Sequence, residues 1–126
     1  MTTVLGQAHR VLRPGGVMVF TVPHPSLPFL RKTEPPFYFE PGDAGYFSGR
    51  NRQFEGRIWR RDGVDVPVRC VHKTFEDYFT ALAATGFTHL PQVQELRALP
   101  EHIRLDPDFF TPLDDQPLHV AFRIER

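Results

Sequence analysis

The stretch His9-Arg10-Val11-Leu12-Arg13-Pro14-Gly15-Gly16-Val17-Met18-Val19-Phe20-Thr21-Val22-Pro23-His24-Pro25 decides the fold. Upstream, Val4, Leu5, Ala8, Val11 and Leu12 recur at helical spacing and predict a helix over residues 3–12 with one apolar face. Arg10 and Arg13 fall in its last turn, where cations suit the helix dipole, and Pro14-Gly15-Gly16 stops it. Residues 17–22 are an almost unbroken β-branched and aromatic run. Such a run does not alternate with solvent, so it predicts a strand covered on both faces, as in a parallel sheet. Helix, two-glycine turn and buried strand together make one step of an α/β fold.

Beyond Pro23 an irregular stretch runs to Phe54 and carries Phe29, Phe37, Tyr38, Phe39, Tyr46 and Phe47. A loop of that length inside a compact domain implies a covered site. Residues 56–60 and 64–71 then predict a hairpin about Arg61-Asp62-Gly63, with Val64, Val66, Val68 and Cys70 on one face. Pro67 cannot donate to a ladder and restricts the second strand to an edge. A second helix is predicted over 74–85, with Thr74 as N-cap and Asp77 completing a capping box. Phe75, Tyr78, Phe79 and Leu82 form its apolar face, and Gly86 closes it. Strands are predicted over 88–93 and 118–124, with a short helical turn near 108–113 between them.

The chain has 126 residues, 40% of them hydrophobic, enough for one domain that buries roughly two-thirds of its unfolded surface. Its 15 basic and 15 acidic residues cancel, so charge gives no reason to expect nucleic acid or an anionic membrane as partner. A small molecule or a protein fits better. The single cysteine, Cys70, has no internal disulfide partner and reads as a buried structural thiol. His89, His102 and His119 have no metal-ligand spacing. No charged segment leads into an apolar stretch at the amino terminus and no apolar run approaches ~18 residues, which predicts a cytoplasmic protein. The 13 prolines crowd into residues 23–41 and 91–117, where they stiffen the connections.

Leu12-Arg13-Pro14-Gly15-Gly16 before an apolar strand resembles the junction between the fourth helix and fifth strand of class I S-adenosylmethionine-dependent methyltransferases, in the type 11 and ubiquinone-biosynthesis-like group. His72-Lys73-Thr74-Phe75, the helix through Tyr78 and Leu82, and Thr85-Gly86-Phe87 look like the next helix of that family and its exit. Pro117-Leu118-His119-Val120-Ala121-Phe122 looks like its final strand. The resemblance implies a partial Rossmann-like α/β sheet containing the equivalents of the fifth, sixth and seventh strands, with flanking helices and an inserted β-hairpin. Residues 1–126 would be the carboxyl-terminal portion of a methyltransferase domain, and residues 23–71 a substrate-side insertion. S-adenosylmethionine is the implied cofactor, but the family holds it on a Gly-x-Gly turn after the first strand. Gly15-Gly16 precedes a strand and reads as a turn, so no cofactor-binding residue is expected in this chain.

His24 follows the carboxyl end of the strand over 17–22, where open α/β sheets place ligands, and could act as a base or orient a hydroxyl. His72, ahead of the second helix, is the other candidate catalytic residue, with a structural role in the loop-to-helix entry as its alternative. Tyr46, Phe47 and Trp59 belong to the insertion and suit a planar or apolar acceptor, although packing the insertion also requires aromatics. Arg50, Arg52, Arg57, Arg60 and Arg61 cluster locally, but Glu55, Asp62 and Asp65 interleave and make a solvated face the simpler reading. If the chain begins at Met1, the strand from Val17 to Val22 lacks a neighbour along one edge. Self-association or an amino-terminal partner chain is then expected there. Two functions follow: a methyltransferase fragment acting on a small-molecule acceptor, and a non-catalytic binding module derived from one.

Overall fold

The computed structural model describes residues 1–30, 35–59 and 62–126. Helix α1 (Thr2–Val11) is followed by a turn in which Gly15 adopts φ +73°, a left-handed conformation that side chains resist. The Gly15 N–H donates to the Arg126 carbonyl at 2.9 Å, and the Arg126 N–H donates to the Gly16 carbonyl at 2.9 Å. The Arg126 guanidinium also reaches the Leu12 carbonyl. The turn is therefore clamped by the last residue of the chain.

Strand β1 (Val17–Pro23) pairs antiparallel with β6 (His119–Glu125), placing Met18 opposite Ile124, Phe20 opposite Phe122 and Val22 opposite Val120. Strand β5 (Gln92–Leu96) pairs antiparallel with the other side of β6. The sheet order is β1-β6-β5. Helices α1 and α3 (Phe75–Ala84) pack against the face bearing these apolar pairs, with Leu5, Ala81, Leu82, Phe87 and Ile124 in one cluster and Tyr78, Val120 and Phe122 in another.

The two-sided burial expected for residues 17–22 is corrected. Met18, Phe20 and Val22 pack inward, but Val19 on the opposite face keeps 63% of its surface exposed. Both helices lie on the Met18 side, so the other half of the apolar run faces outward. Val4 and Val11 of α1 are exposed as well, and only Leu5 of the expected helical stripe is fully buried.

Helix α3 begins with the expected capping box. The Asp77 N–H donates to Thr74 Oγ1, and the Thr74 N–H donates to the Asp77 carboxylate at 2.9 Å. The reciprocal bonds satisfy two otherwise orphaned donors at a buried helix entry.

Residues 37–71 contain a second antiparallel sheet, order β2-β3-β4, built from β2 (Phe37–Glu40), β3 (Gln53–Trp59) and β4 (Asp65–Val71). The expected hairpin is thus part of a three-stranded unit, because the aromatic segment at 37–40 pairs along β3. Of the expected turn, Arg61 lies outside the described residues, as does Arg60. Pro67 sits on an edge strand, as its missing N–H requires. A short helix α2 (Leu27–Leu30) contributes Leu27 to a core with Phe39, Ala44 and Phe54, and Leu118 joins that core from the start of β6.

The strand expected at 88–93 starts four residues later. Pro91 lacks a ladder donor, and Leu90, 88% exposed, points away from the core. The connection to β6 contains α4 (Pro100–Leu105), absent from the sequence reading, and then α5 (Pro107–Phe110) and a 3-10 turn at Thr111–Leu113. Asp106 caps α5 through the Phe109 N–H at 3.2 Å. Among the described residues no helix is long and apolar enough to cross a membrane.

Candidate functional site

A cavity of about 260 Å³ opens at the carboxyl end of β1, lined by Pro23, His24, Cys70, His72, Lys73 and Tyr78 among others. The structure therefore brings the two histidines singled out by sequence into one site, one from the end of β1 and the other from the segment between β4 and α3.

His24 is 7% exposed and bonded through both ring nitrogens. The Ser26 N–H donates to Nδ1 at 3.2 Å, which leaves Nδ1 carrying a lone pair and places the ring proton on Nε2. That proton is donated to Glu95 Oε1 at 2.9 Å. The Ser26 hydroxyl lies 2.7 Å from Nδ1, and the ring meets Phe75 edge-on at 5.4 Å between centroids. A serine, a histidine and a carboxylate thus form a chain across the top of the sheet, with β5 supplying the acid. Neither Ser26 nor Glu95 stood out in the sequence; a serine two residues from the histidine was the only available signal.

His72 is 2% exposed. Its Nε2 proton is donated to the Tyr46 carbonyl at 2.7 Å. Its ring stacks on Phe54 at 5.7 Å and meets the edges of Phe29 at 5.0 Å and Tyr46 at 5.3 Å. The backbone is tied as well: the His72 N–H donates to the Arg52 carbonyl, and the His72 carbonyl accepts from the Asn51 N–H. His72 therefore anchors the loop that carries Tyr46 against β3.

The three aromatic candidates separate. Tyr46 packs on His72 and Phe47, Phe47 remains 78% exposed, and Trp59 lies against Tyr38 at 5.5 Å. None of the three contributes to the lining of the cavity at His24. The local arginines are paired where they are described. Arg50 bridges Asp77 at 2.7 Å and Glu76 at 3.2 Å, Arg57 meets Asp65 at 2.5 Å, Arg69 meets Glu55 at 2.9 Å, and Arg52 approaches Asp43 at 3.6 Å. This is the solvated, self-compensated face that the interleaved acids imply. Burial pushes the Asp77 carboxyl up, but the Arg50 and Thr74 hydrogen bonds outweigh it and leave the group below the usual carboxylate range.

Burial shifts two groups that line the cavity, Tyr78 and Cys70. The Tyr78 hydroxyl is pushed up to about 12, chiefly by desolvation. The Cys70 thiol is pushed up to about 11 for the same reason, against a weaker opposing bond from the Phe54 backbone. Cys70 is consequently a protonated, unreactive thiol at neutral pH. At pH 8 iodoacetamide is expected to alkylate it about a hundredfold more slowly in the native chain than in urea, the ratio set by about two pKa units. Equal rates in both states would contradict a thiol buried in this way. The sign carries over to stability. A thiol whose pKa is raised by folding ionises first in the unfolded chain, so native stability falls as pH climbs from about 9 toward about 11.

The cofactor implied by the sequence resemblance can be tested against the glycines. Gly15-Gly16 lies at the amino end of β1, opposite the end bearing His24, and its backbone is committed to Arg126 and Arg13. A Cβ on Gly16 would lie 2.7 Å from the Arg13 carbonyl, so the close backbone approach permitted there is filled by the chain itself. These residues do not fit a cradle for S-adenosylmethionine.

No family model matches the sequence, and no curated protein matches it. Among solved structures the chain is similar to an S-adenosylmethionine-dependent methyltransferase from Mesorhizobium loti, with a TM-score of 0.58 and 19% identity. The match covers 99% of this chain and 55% of that one. The chain spans about half the length of the structure it matches, and what the two share is the fold: a mixed α/β arrangement similar to that of a methyltransferase.

Proposed function

We propose that this chain is the substrate-side, carboxyl-terminal portion of an S-adenosylmethionine-dependent methyltransferase acting on a small-molecule acceptor. The observation that carries the reading is the sheet order β1-β6-β5 with the late strand β6 antiparallel between the other two. Fifth-seventh-sixth is the order at that end of the sheet in class I methyltransferases, and the fold likeness extends over nearly the whole chain. On this reading β1, β5 and β6 are the equivalents of the fifth, sixth and seventh strands. Residues 23–71 are then the substrate-side insertion.

The open edge of β1 supports a separate amino-terminal segment as its partner. Val17 and Val19, exposed on the outer face of β1, leave apolar surface beside that edge, which an added chain would help to cover. That segment would supply the grip on the cofactor. S-adenosylmethionine brings an already activated methyl group, so this chain's part is to bind and orient the acceptor and handle its proton. His24 is suited to the last task. Glu95 holds the Nε2 proton and would stabilise the imidazolium, while Nδ1 can receive a proton by way of the Ser26 hydroxyl. His72, through the Tyr46 carbonyl, has a positioning role: it holds the loop that carries Tyr46 against β3, beside the cavity that His72 itself lines.

The test is transfer of label from S-adenosyl-L-[methyl-³H]methionine into a small-molecule extract of the source cells. It is run with the chain alone and with the complex recovered on its affinity tag. The complex is expected to transfer label, the chain alone is not, and His24→Ala in the complex is expected to lower the rate by about 10²–10⁴. A complex that transfers no label would favour the alternative of a non-catalytic binding module.

A further inference from the structure

A second cavity, of about 430 Å³, lies between the insertion and the connection that leads to β6. Its walls are largely apolar, with four phenylalanines among them. Phe37 and Phe39 come from β2, Phe109 and Phe110 from α5, and Val68 and Cys70 from β4. Elements distant in sequence thus converge on one apolar space of the size that small-molecule sites occupy. It shares Pro23, Arg69 and Cys70 with the cavity at His24.

The electrostatics of the space restrict its occupant. Among the described lining residues Arg69 alone carries a permanent charge, and its guanidinium is spent on Glu55 at 2.9 Å on the outer side of β4. His119, at the start of β6, is the other titratable group apart from Cys70, and desolvation holds its imidazole below the ordinary histidine range. Cys70 is protonated. Among the described lining residues an ionised ligand would meet no free counter-charge, and it would lose its hydration. An uncharged one would lose only apolar contact with water, which favours entry.

We propose that this cavity binds an uncharged, predominantly apolar small molecule between the β2 and α5 phenylalanines, with the His119 imidazole as its polar contact. The binding site stands on the geometry; its identification as the acceptor's seat rests on the methyltransferase reading. On that reading the apolar body of the acceptor lies here and its reacting group points past Pro23 toward His24.

The neutral fluorophore N-phenyl-1-naphthylamine, which brightens in apolar surroundings, tests the proposal on the intact chain without cofactor or partner. Saturable binding at one site per chain is expected. Val68→Trp, which fills the space, is expected to weaken it by about tenfold or more, and Val19→Lys, on the exposed sheet face, to leave it within about twofold. In the unmutated chain, saturating fluorophore is expected to slow alkylation of Cys70 severalfold, a readout that needs no variant to fold. Absent or non-saturable binding overturns the proposal. So does loss of binding in Val19→Lys, or binding that leaves the Cys70 rate unchanged. Failed methyl transfer with fluorophore binding intact overturns the methyltransferase reading and leaves the site standing.

Discussion

Phe122→Ala is expected to remove about 3–5 kcal/mol of folding stability, a large share of the roughly 5–15 kcal/mol that holds a domain of this size together. Phe122 is fully buried on the central strand of the main sheet. Its ring stacks on Phe20 of β1 at 4.9 Å with 12° between planes, meets Tyr78 at 5.3 Å and takes the edge of Phe79 at 6.1 Å. The side chain thus ties β1 to β6 and both to α3. Its removal leaves a cavity walled by three aromatic rings that cannot collapse into it without breaking strand register. Urea unfolding followed by far-ultraviolet circular dichroism should show a much lower midpoint with an unchanged slope, since the area exposed on unfolding barely differs. Val19→Ala, one position away on the adjacent strand but on the open face, should move stability by no more than about 0.5 kcal/mol. A Phe122→Ala midpoint shift as small as that of Val19→Ala would mean the packing described for this core is wrong.

Gly56→Ala carries the second large effect, and its direction is opposite to what strand propensity suggests. Glycine weakens strand interiors, so alanine in β3 would ordinarily be neutral or favourable. Here, a Cβ on Gly56 would lie 2.3 Å from the Tyr38 carbonyl oxygen and 2.7 Å from Phe39 Cδ1. The first of these atoms is backbone and cannot swing aside. Since Gly56 is paired with Phe39 across the ladder, β2 must separate from β3. We expect a loss of about 1–3 kcal/mol, confined to the β2-β3-β4 sheet. Hydrogen exchange should show the amides of residues 37–40 losing protection while those of residues 119–125 keep theirs. Because Phe37 and Phe39 form one wall of the apolar cavity, binding of N-phenyl-1-naphthylamine should fall in parallel. Full protection in β2 would show that the strand can accommodate a methyl group at this crossing.

Local signals were legible where a residue's neighbours in sequence are also its neighbours in space. The turn at Gly15-Gly16 and the Thr74–Asp77 capping box are set within four residues of chain, and both occur as read. The strand predicted over 118–124 is local in the same sense: Val120, Phe122 and Ile124 alternate with His119, Ala121 and Arg123, and the first three are the buried face of β6. β2 was missed because Phe37, Tyr38 and Phe39 lack the alternation of a half-buried strand; their partner is β3, more than a dozen residues on. The displacement of β5 has a similar origin. Its register is chosen by pairing with β6, Gln92 against Arg123 and Leu96 against His119, a constraint that does not appear in residues 88–96 taken alone.

The candidate site divides in the same way. His24 was legible from its place after an apolar run at the end of a strand. Glu95, which holds its Nε2 proton, stands 71 positions away, and Phe109 and Phe110, which wall the apolar cavity, lie farther still. By itself the sequence determined the helix, turn and strand around Gly15-Gly16, the capped second helix, the edge position of Pro67 and the two histidines worth locating. Hydrophobic period and backbone stereochemistry are properties of contiguous residues. Only the tertiary structure decided which face of β1 is covered, that three strands rather than two form the second sheet, and which carboxylate and phenyl rings meet the histidines. Those outcomes depend on pairings between distant segments, whose free energy exists only once the intervening chain has closed.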